Sequence, residues 1–193
     1  MVRFAKGADP RAIRLGRVRV VIAPADEPPF RVDAEVVEED TFLVLSAGPE
    51  VIEPDLHPLR VLQAAHEAEA LPPGSVIAQS GEPMRLLAVV HDLAQEPSCR
   101  EEWVRQALAG VMREARARRM RALAVPLLGA RHGRMPAAAF AGLLRSALES
   151  DAPPSLARLW LQAAEGAGEL AAVLRAGGGA RGVVRRGPWP GSG

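Results

Sequence analysis

"ALAVPLLGARHGRMP", residues 122–136, carries the sharpest punctuation in the chain. An apolar run from Ala122 to Leu128 leads into Gly129 and Gly133, and Pro136 closes the stretch. Apolar residues followed by glycines and then a proline read as a buried strand, a turn and a helix start. Glycine tolerates backbone conformations and close approaches that other residues resist. Backbone N–H groups in such a loop, next to a helix N-terminus, suit an anion. Arg131 or Arg134 would add charge-assisted bonds to a phosphate. The same pattern also serves simply to turn a corner, so the loop alone is only a candidate phosphate cradle. His132 within it is a candidate acid or base near neutral pH, with a solvated loop histidine as the alternative.

Upstream, "SCREEWVRQALAGVMREARARRM" (98–120) is the clearest helix. Trp103, Leu108, Val111 and Met112 form its apolar stripe, and Ser98 with Glu101 spells a capping box. Its basic end (Arg116, Arg118, Arg119, Arg121) suits the negative pole of a helix dipole. Downstream, 136–150 and 167–176 read as helices and "SLARLWLQA" (155–163) as a strand. Toward the N-terminus, "RVRVVIA" (17–23), "VDAEVV" (32–37) and "TFLVLS" (41–46) read as three strands. A helix is expected over 58–71, begun by Pro58. Two more strands follow, at 75–80 and 85–93. The order β-β-β-α-β-β-α-β-α-β-α predicts an α/β domain with helices flanking a largely parallel or mixed sheet. Ligands of such sheets gather outside the carboxyl ends of the strands, where the loop after "ALAVP" lies. Residues 1–16 read as an N-terminal extension, 17–176 as one domain, and 177–193 as a disordered tail rich in Gly, Arg and Pro.

The chain has 193 residues and a net charge of +1. That balance argues against whole-surface attraction to nucleic acid or membrane. The basic charge is almost all arginine, which in company with Ala, Gly and Pro reflects a GC-rich genome as readily as phosphate binding. Cys99 is the single cysteine, so neither an internal disulfide nor a cysteine metal cluster can form, which fits a reducing cytoplasm. There is no signal-like N-terminus and no apolar run of about 20 residues. A soluble, cytoplasmic protein is expected.

Acidic clusters at "VEED" (37–40) and Asp26/Glu27 can in principle hold a divalent metal or act as acid and base. No His-x-x-x-His or Asp-x-Asp accompanies them, so they read as solvated turns, and neither a metal nor a cofactor is expected. His91 ends a strand beside Asp92 and reads as structural, because neighbouring strand residues face opposite ways. Cys99 reads as a packing residue or a helix-start residue. Neither a nucleophile elbow nor a P-loop is present.

Four stretches in this order resemble a macro domain, the α/β module best known for binding ADP-ribose. "ADEPPFRVDAEVV" is similar to the family's Gly-Asp-Ile-Thr followed by Val-Asp-Ala-Ile-Val, with the spacing from Asp26 to Val32-Asp33-Ala34 kept. "RLLAVVHDL" resembles its central strand ending in His, and "LARLWLQ" its final strand. "LAVPLLGARHGRMP" resembles Pro-Ala-Ile-Gly-Thr-Gly-x-x-Gly-x-Pro, with the Pro126-to-Pro136 length kept. The resemblance implies a three-layer fold, a mixed sheet flanked by helices.

The resemblance also implies a ligand site. Asp26 would contact the adenine amine. Ser46, Ala47 and Gly48 would stand in the first phosphate loop, and Gly129, Ala130, Arg131, His132 and Gly133 in the second. The family's Asn-Ala-Ala-Asn segment falls on Val37-Glu38-Glu39-Asp40, so the ribose-orienting asparagine is missing. The implied function is therefore binding of ADP-ribose or a related nucleotide phosphate without hydrolysis. Two alternatives stand beside it. One is a hydrolase in which His132, Asp40 or Glu39 replaces the asparagine. The other is a degenerate fold acting as a protein- or RNA-interaction module through Arg116, Arg118, Arg119, Arg121 and the tail. No membrane partner is expected.

Overall fold

The computed structural model describes residues 12–46 and 70–176. Seven strands form one sheet: β1 (Ala12–Leu15), β2 (Val18–Ala23), β3 (Ala34–Asp40), β4 (Val76–Gln79), β5 (Met84–His91), β6 (Ala122–Pro126) and β7 (Arg158–Gln162). Their spatial order is β1-β2-β7-β6-β3-β5-β4. The five inner strands are mutually parallel, and β1 and β4 add antiparallel edges. The described helices are α1 (Glu101–Ala117), α2 (Ala137–Asp151) and α3 (Ala167–Ala176).

Strand alternation divides the sheet into two faces. Val20 and Ile22 of β2, Leu86 and Val90 of β5, Leu123 and Val125 of β6, and Leu159 and Leu161 of β7 point into one core. There they meet the buried stripes of the helices, including Leu108, Met112, Phe140, Leu144 and Leu170. Burial of each such side chain contributes about 1.5–3 kcal/mol, so this layer supplies most of the stability. On the other face Ala23, Ala124 and Trp160 pack with Phe30 and Val32 from the loop after β2. The Trp160 indole N–H donates to the Ala23 carbonyl at 3.0 Å, and the Arg158 guanidinium lies 4.8 Å over the Phe30 ring.

Asp33 sets the register of the centre. Its carboxylate accepts the N–H groups of Arg121 and Ala122 at 2.5 and 2.9 Å. Its own N–H donates to the Ala122 carbonyl, and its carbonyl accepts from Met84. One residue therefore clips together the starts of β3, β5 and β6. It thereby fixes where their carboxyl ends meet.

Several expectations need correction. Ala12–Leu15, placed in the N-terminal extension, pairs along β2 as an edge strand; its alternation is only four residues long and was masked by the flanking arginines. "TFLVLS" is not a strand. Its amides turn back onto Asp40, Leu43 takes φ 58°, and Phe42 and Val44 are exposed. The Ser98–Glu101 capping box does not form, because α1 starts at Glu101 with Arg100 as N-cap and no side-chain cap. The Ser98 carbonyl instead accepts from Asp92. The helix expected at 58–71 and the tail at 177–193 lie outside the described residues.

Candidate functional site

The carboxyl ends of β3, β6 and β7 open onto a cleft of about 1050 Å³. Glu38, Ser46, Ala130, Arg131, His132 and Gln162 are among its walls. That volume lies at the upper end of what a small-molecule ligand needs. A second cavity, of about 550 Å³, is lined by Phe30 and Trp160 and shares Glu35 with the cleft. Glu35 accepts from the Gln162 amide at 3.0 Å, so the two groups hold each other at the junction.

The acidic run at the end of β3 is not a solvated turn. Glu39 and Asp40 are fully buried. A bulge in the β3–β5 pairing at this point brings the two consecutive carboxylates into use together. Asp40 accepts the Phe42 N–H on one oxygen, at 2.6 Å, and the Val44 and Leu45 N–H groups on the other, both at 3.1 Å. Glu39 accepts from both the hydroxyl and the N–H of Ser46. Both carboxylates shape the 41–46 loop, and neither lines the cleft.

Glu38 is the carboxylate that does face the cleft, and it was not singled out from sequence. One oxygen meets the His91 Nε2 at 2.5 Å, and the other accepts the Gly129 N–H at 3.2 Å. The His91 side chain is fully buried, and that of Glu38 is 12% exposed. The signal was present in part: parallel β3 and β5 end together, with Glu38 two residues before the end of β3 and His91 closing β5. Linear spacing hides this, because the two residues are 53 positions apart.

The loop of residues 127–135 is wound tightly on itself. The Leu128, Ala130, Gly133 and Met135 N–H groups donate to carbonyls within the stretch 126–129. Among the described residues the N–H groups of Arg131, His132 and Arg134, on the exposed side of the loop, have no partner. Gly129 has φ +77°. Cys99 packs under both glycines: a Cβ on Gly133 would lie 2.3 Å from the Cys99 Cβ. The glycines are therefore required by packing, independently of any ligand. The His132 ring stands edge-on to His91 at 5.9 Å between centroids.

Burial pushes the Cys99 thiol up from 9.0 to about 11, with the Glu38 charge adding to the effect. The folded chain therefore keeps this proton at pH values where the unfolded chain has lost it. The contribution of this thiol to stability is unchanged below about pH 8 and declines as pH rises through the window between the two values. Denaturation curves compared with Cys99→Ala should show this loss in the parent alone.

The remaining expected site residues disperse. Asp26 stands on an exposed turn whose neighbours Ala25 and Pro28 line the second cavity. Ser46 reaches the cleft wall, while Ala47 and Gly48 lie outside the described residues. Of the basic group at the other end of the sheet, Arg116 donates to the Asp151 carbonyl and Arg118 pairs with Glu114. Among the described residues no cluster of His, Cys, Asp or Glu is arranged to hold a metal ion. No described helix is long and apolar enough to cross a membrane.

No family model matches the sequence, and no curated protein matches it either. Solved structures do match. The chain is similar to a macrodomain of Oceanobacillus iheyensis solved with ADP, at 16% identity and a TM-score of 0.57, over 86% of this chain and 92% of that one. It is similar to the macrodomain of Thermus aquaticus DarG at 19% identity and a TM-score of 0.56, over 76% and 99%. A Trypanosoma brucei macrodomain in complex with ADP matches at 14% identity and a TM-score of 0.55, over 80% and 68%.

Proposed function

The chain has the macrodomain fold, a mixed seven-stranded sheet flanked by helices, and from that premise we propose that its cleft binds ADP-ribose or a related nucleotide without hydrolysing it. The carrying observation is the pair of neighbouring cavities that have Glu35 as a common wall residue. An aromatic-walled cavity beside a larger cleft that has Glu38, Gln162 and Arg131 among its walls suits a base beside a sugar and phosphate. Phe30 and Trp160 offer a face for the base, with Asp26 at the rim for its amine. Gln162 and Glu38 offer partners to sugar hydroxyls. Arg131 and the free amides of the loop tip offer the phosphate seat. Two solved macrodomains of the same fold carry ADP.

The state of two buried carboxylates supports the reading without hydrolysis. Two of the three candidates for replacing the missing asparagine, Glu39 and Asp40, are committed to loop amides and to Ser46, while the third, His132, is on the cleft wall with no carboxylate of that pair beside it. A general base must reach the proton it removes, and neither carboxylate is on the cleft wall. Calorimetric titration with ADP-ribose should give saturable heat with a Kd below about 1 mM, equivalent to about −4 kcal/mol. The absence of both heat and a thermal shift at millimolar ligand would sink the reading.

A further inference from the structure

We propose that Glu38 sets the selectivity of the cleft: its carboxylate keeps a ligand phosphate away from the inner end of the 127–135 loop and accepts a hydrogen bond from a sugar hydroxyl. This rests on the nucleotide reading above and goes beyond it, because it names which part of the ligand meets which part of the loop.

A glycine loop binds phosphate through N–H groups that point together into the site. Here the inner part of that array is spent. Four N–H groups are satisfied inside the loop and that of Gly129 is taken by Glu38, which leaves those of Arg131, His132 and Arg134 toward the outer side. The loop's inner end therefore already holds an anion, and it is one the chain supplies itself. A ligand phosphate brought to the same point would displace that bond and stand a few ångströms from a second negative charge. Such like-charge contacts are unfavourable at any realistic dielectric constant, more so where water is thinned out.

The carboxylate still has work available. An ionised carboxylate offers about four lone-pair sites. The hydrogen bonds to His91 and Gly129 occupy one on each oxygen. The remaining sites belong to a side chain on the cleft wall that is 12% exposed. What such a group accepts is a donor: a hydroxyl, for which a ribose diol is well suited. His91, wholly buried behind it, fixes the carboxylate's orientation and makes no ligand contact of its own. The phosphate is left with the loop's outer tip, where the Arg131 and His132 N–H groups and the Arg131 side chain remain. The ligand class is thus a sugar-bearing nucleotide with its sugar inward and its phosphate at the rim.

The test compares ADP-ribose, which has a second ribose, with ADP, which lacks it, by calorimetry on the parent chain and on Glu38→Gln. The amide keeps the size and one acceptor oxygen but removes the charge. The parent should prefer ADP-ribose. In E38Q, ADP should gain about tenfold, about 1.4 kcal/mol, and the preference should collapse. An unchanged ratio in E38Q overturns the proposal while leaving the nucleotide reading intact. If the parent binds neither ligand but E38Q binds ADP, the nucleotide reading of the natural chain fails and exclusion by Glu38 stands. If neither protein binds either ligand, both fall.

Should E38Q fail to fold, amide chemical shifts of the parent during ADP-ribose titration decide. The Arg131 and His132 amides should move while the Gly129 amide stays near its starting shift. A Gly129 amide that moves as a phosphate donor would contradict the proposal.

Discussion

Gly129→Ala is expected to destabilise the chain by about 3 kcal/mol, the sum of a backbone and a packing cost. The backbone part comes from φ +77°, which a residue with a Cβ adopts at about 1–2 kcal/mol. The packing part comes from Cys99, whose sulfur would lie 2.8 Å from the new methyl. Cys99 has no room to retreat, because it is also wedged under Gly133. Urea denaturation should show a lower midpoint with an unchanged slope. The same substitution made in Cys99→Ala should cost less, since the contact with the sulfur is gone while the backbone part and the 3.3 Å approach to the Met135 Cβ remain, and the difference measures the coupling. A loss below about 1 kcal/mol in the parent background would mean that the loop does not sit on Cys99 as described.

Asp40→Ala is the second large expected loss, also about 3 kcal/mol, because it leaves three amide donors without their charged acceptor. Those donors, Phe42, Val44 and Leu45, define the turn that carries Ser46 to the cleft wall. Asp40→Asn should lose about half as much, since one amide oxygen can still accept while the NH₂ faces donors it cannot serve. Thermal melts rank the three proteins. Equal stability of D40A and the parent would contradict the account of this loop. The same comparison explains the aspartate at a position where the macro-domain pattern has asparagine. Holding three amides needs acceptors on both oxygens, and only the carboxylate supplies them.

The sheet was legible where alternation was long or the strand fully apolar. "RVRVVIA" and "RLLAVVH" supply β2 and β5 almost to their ends. The stretch 122–136 gave its strand, its turn and its helix. The fold-level resemblance rested on spacing that has a physical basis: Asp33 stands where one carboxylate can clip β3 to β6.

Legibility failed where long-range partners decide. "TFLVLS" has strand composition, but the carboxylate just before it captures the amides a strand would need. "VEED" looks solvated until the bulge and the loops bury it. The Glu38–His91 pair needs the parallel register of β3 and β5, which no local pattern states. The glycines at 129 and 133 were read as serving a ligand, whereas their first duty is to clear Cys99. Arg131 and Arg134 stand on the exposed side of the loop, where long side chains have room. Arg134 even takes φ 55°, a conformation glycine would adopt more easily.

The most direct measurement is a crystal structure of the chain with ADP-ribose. The account predicts the base over Phe30 and Trp160, the inner ribose hydroxyls against Glu38, and the diphosphate at the loop tip beside Arg131. A diphosphate seated on the Gly129 N–H, or a ligand bound away from the two neighbouring cavities, would contradict it.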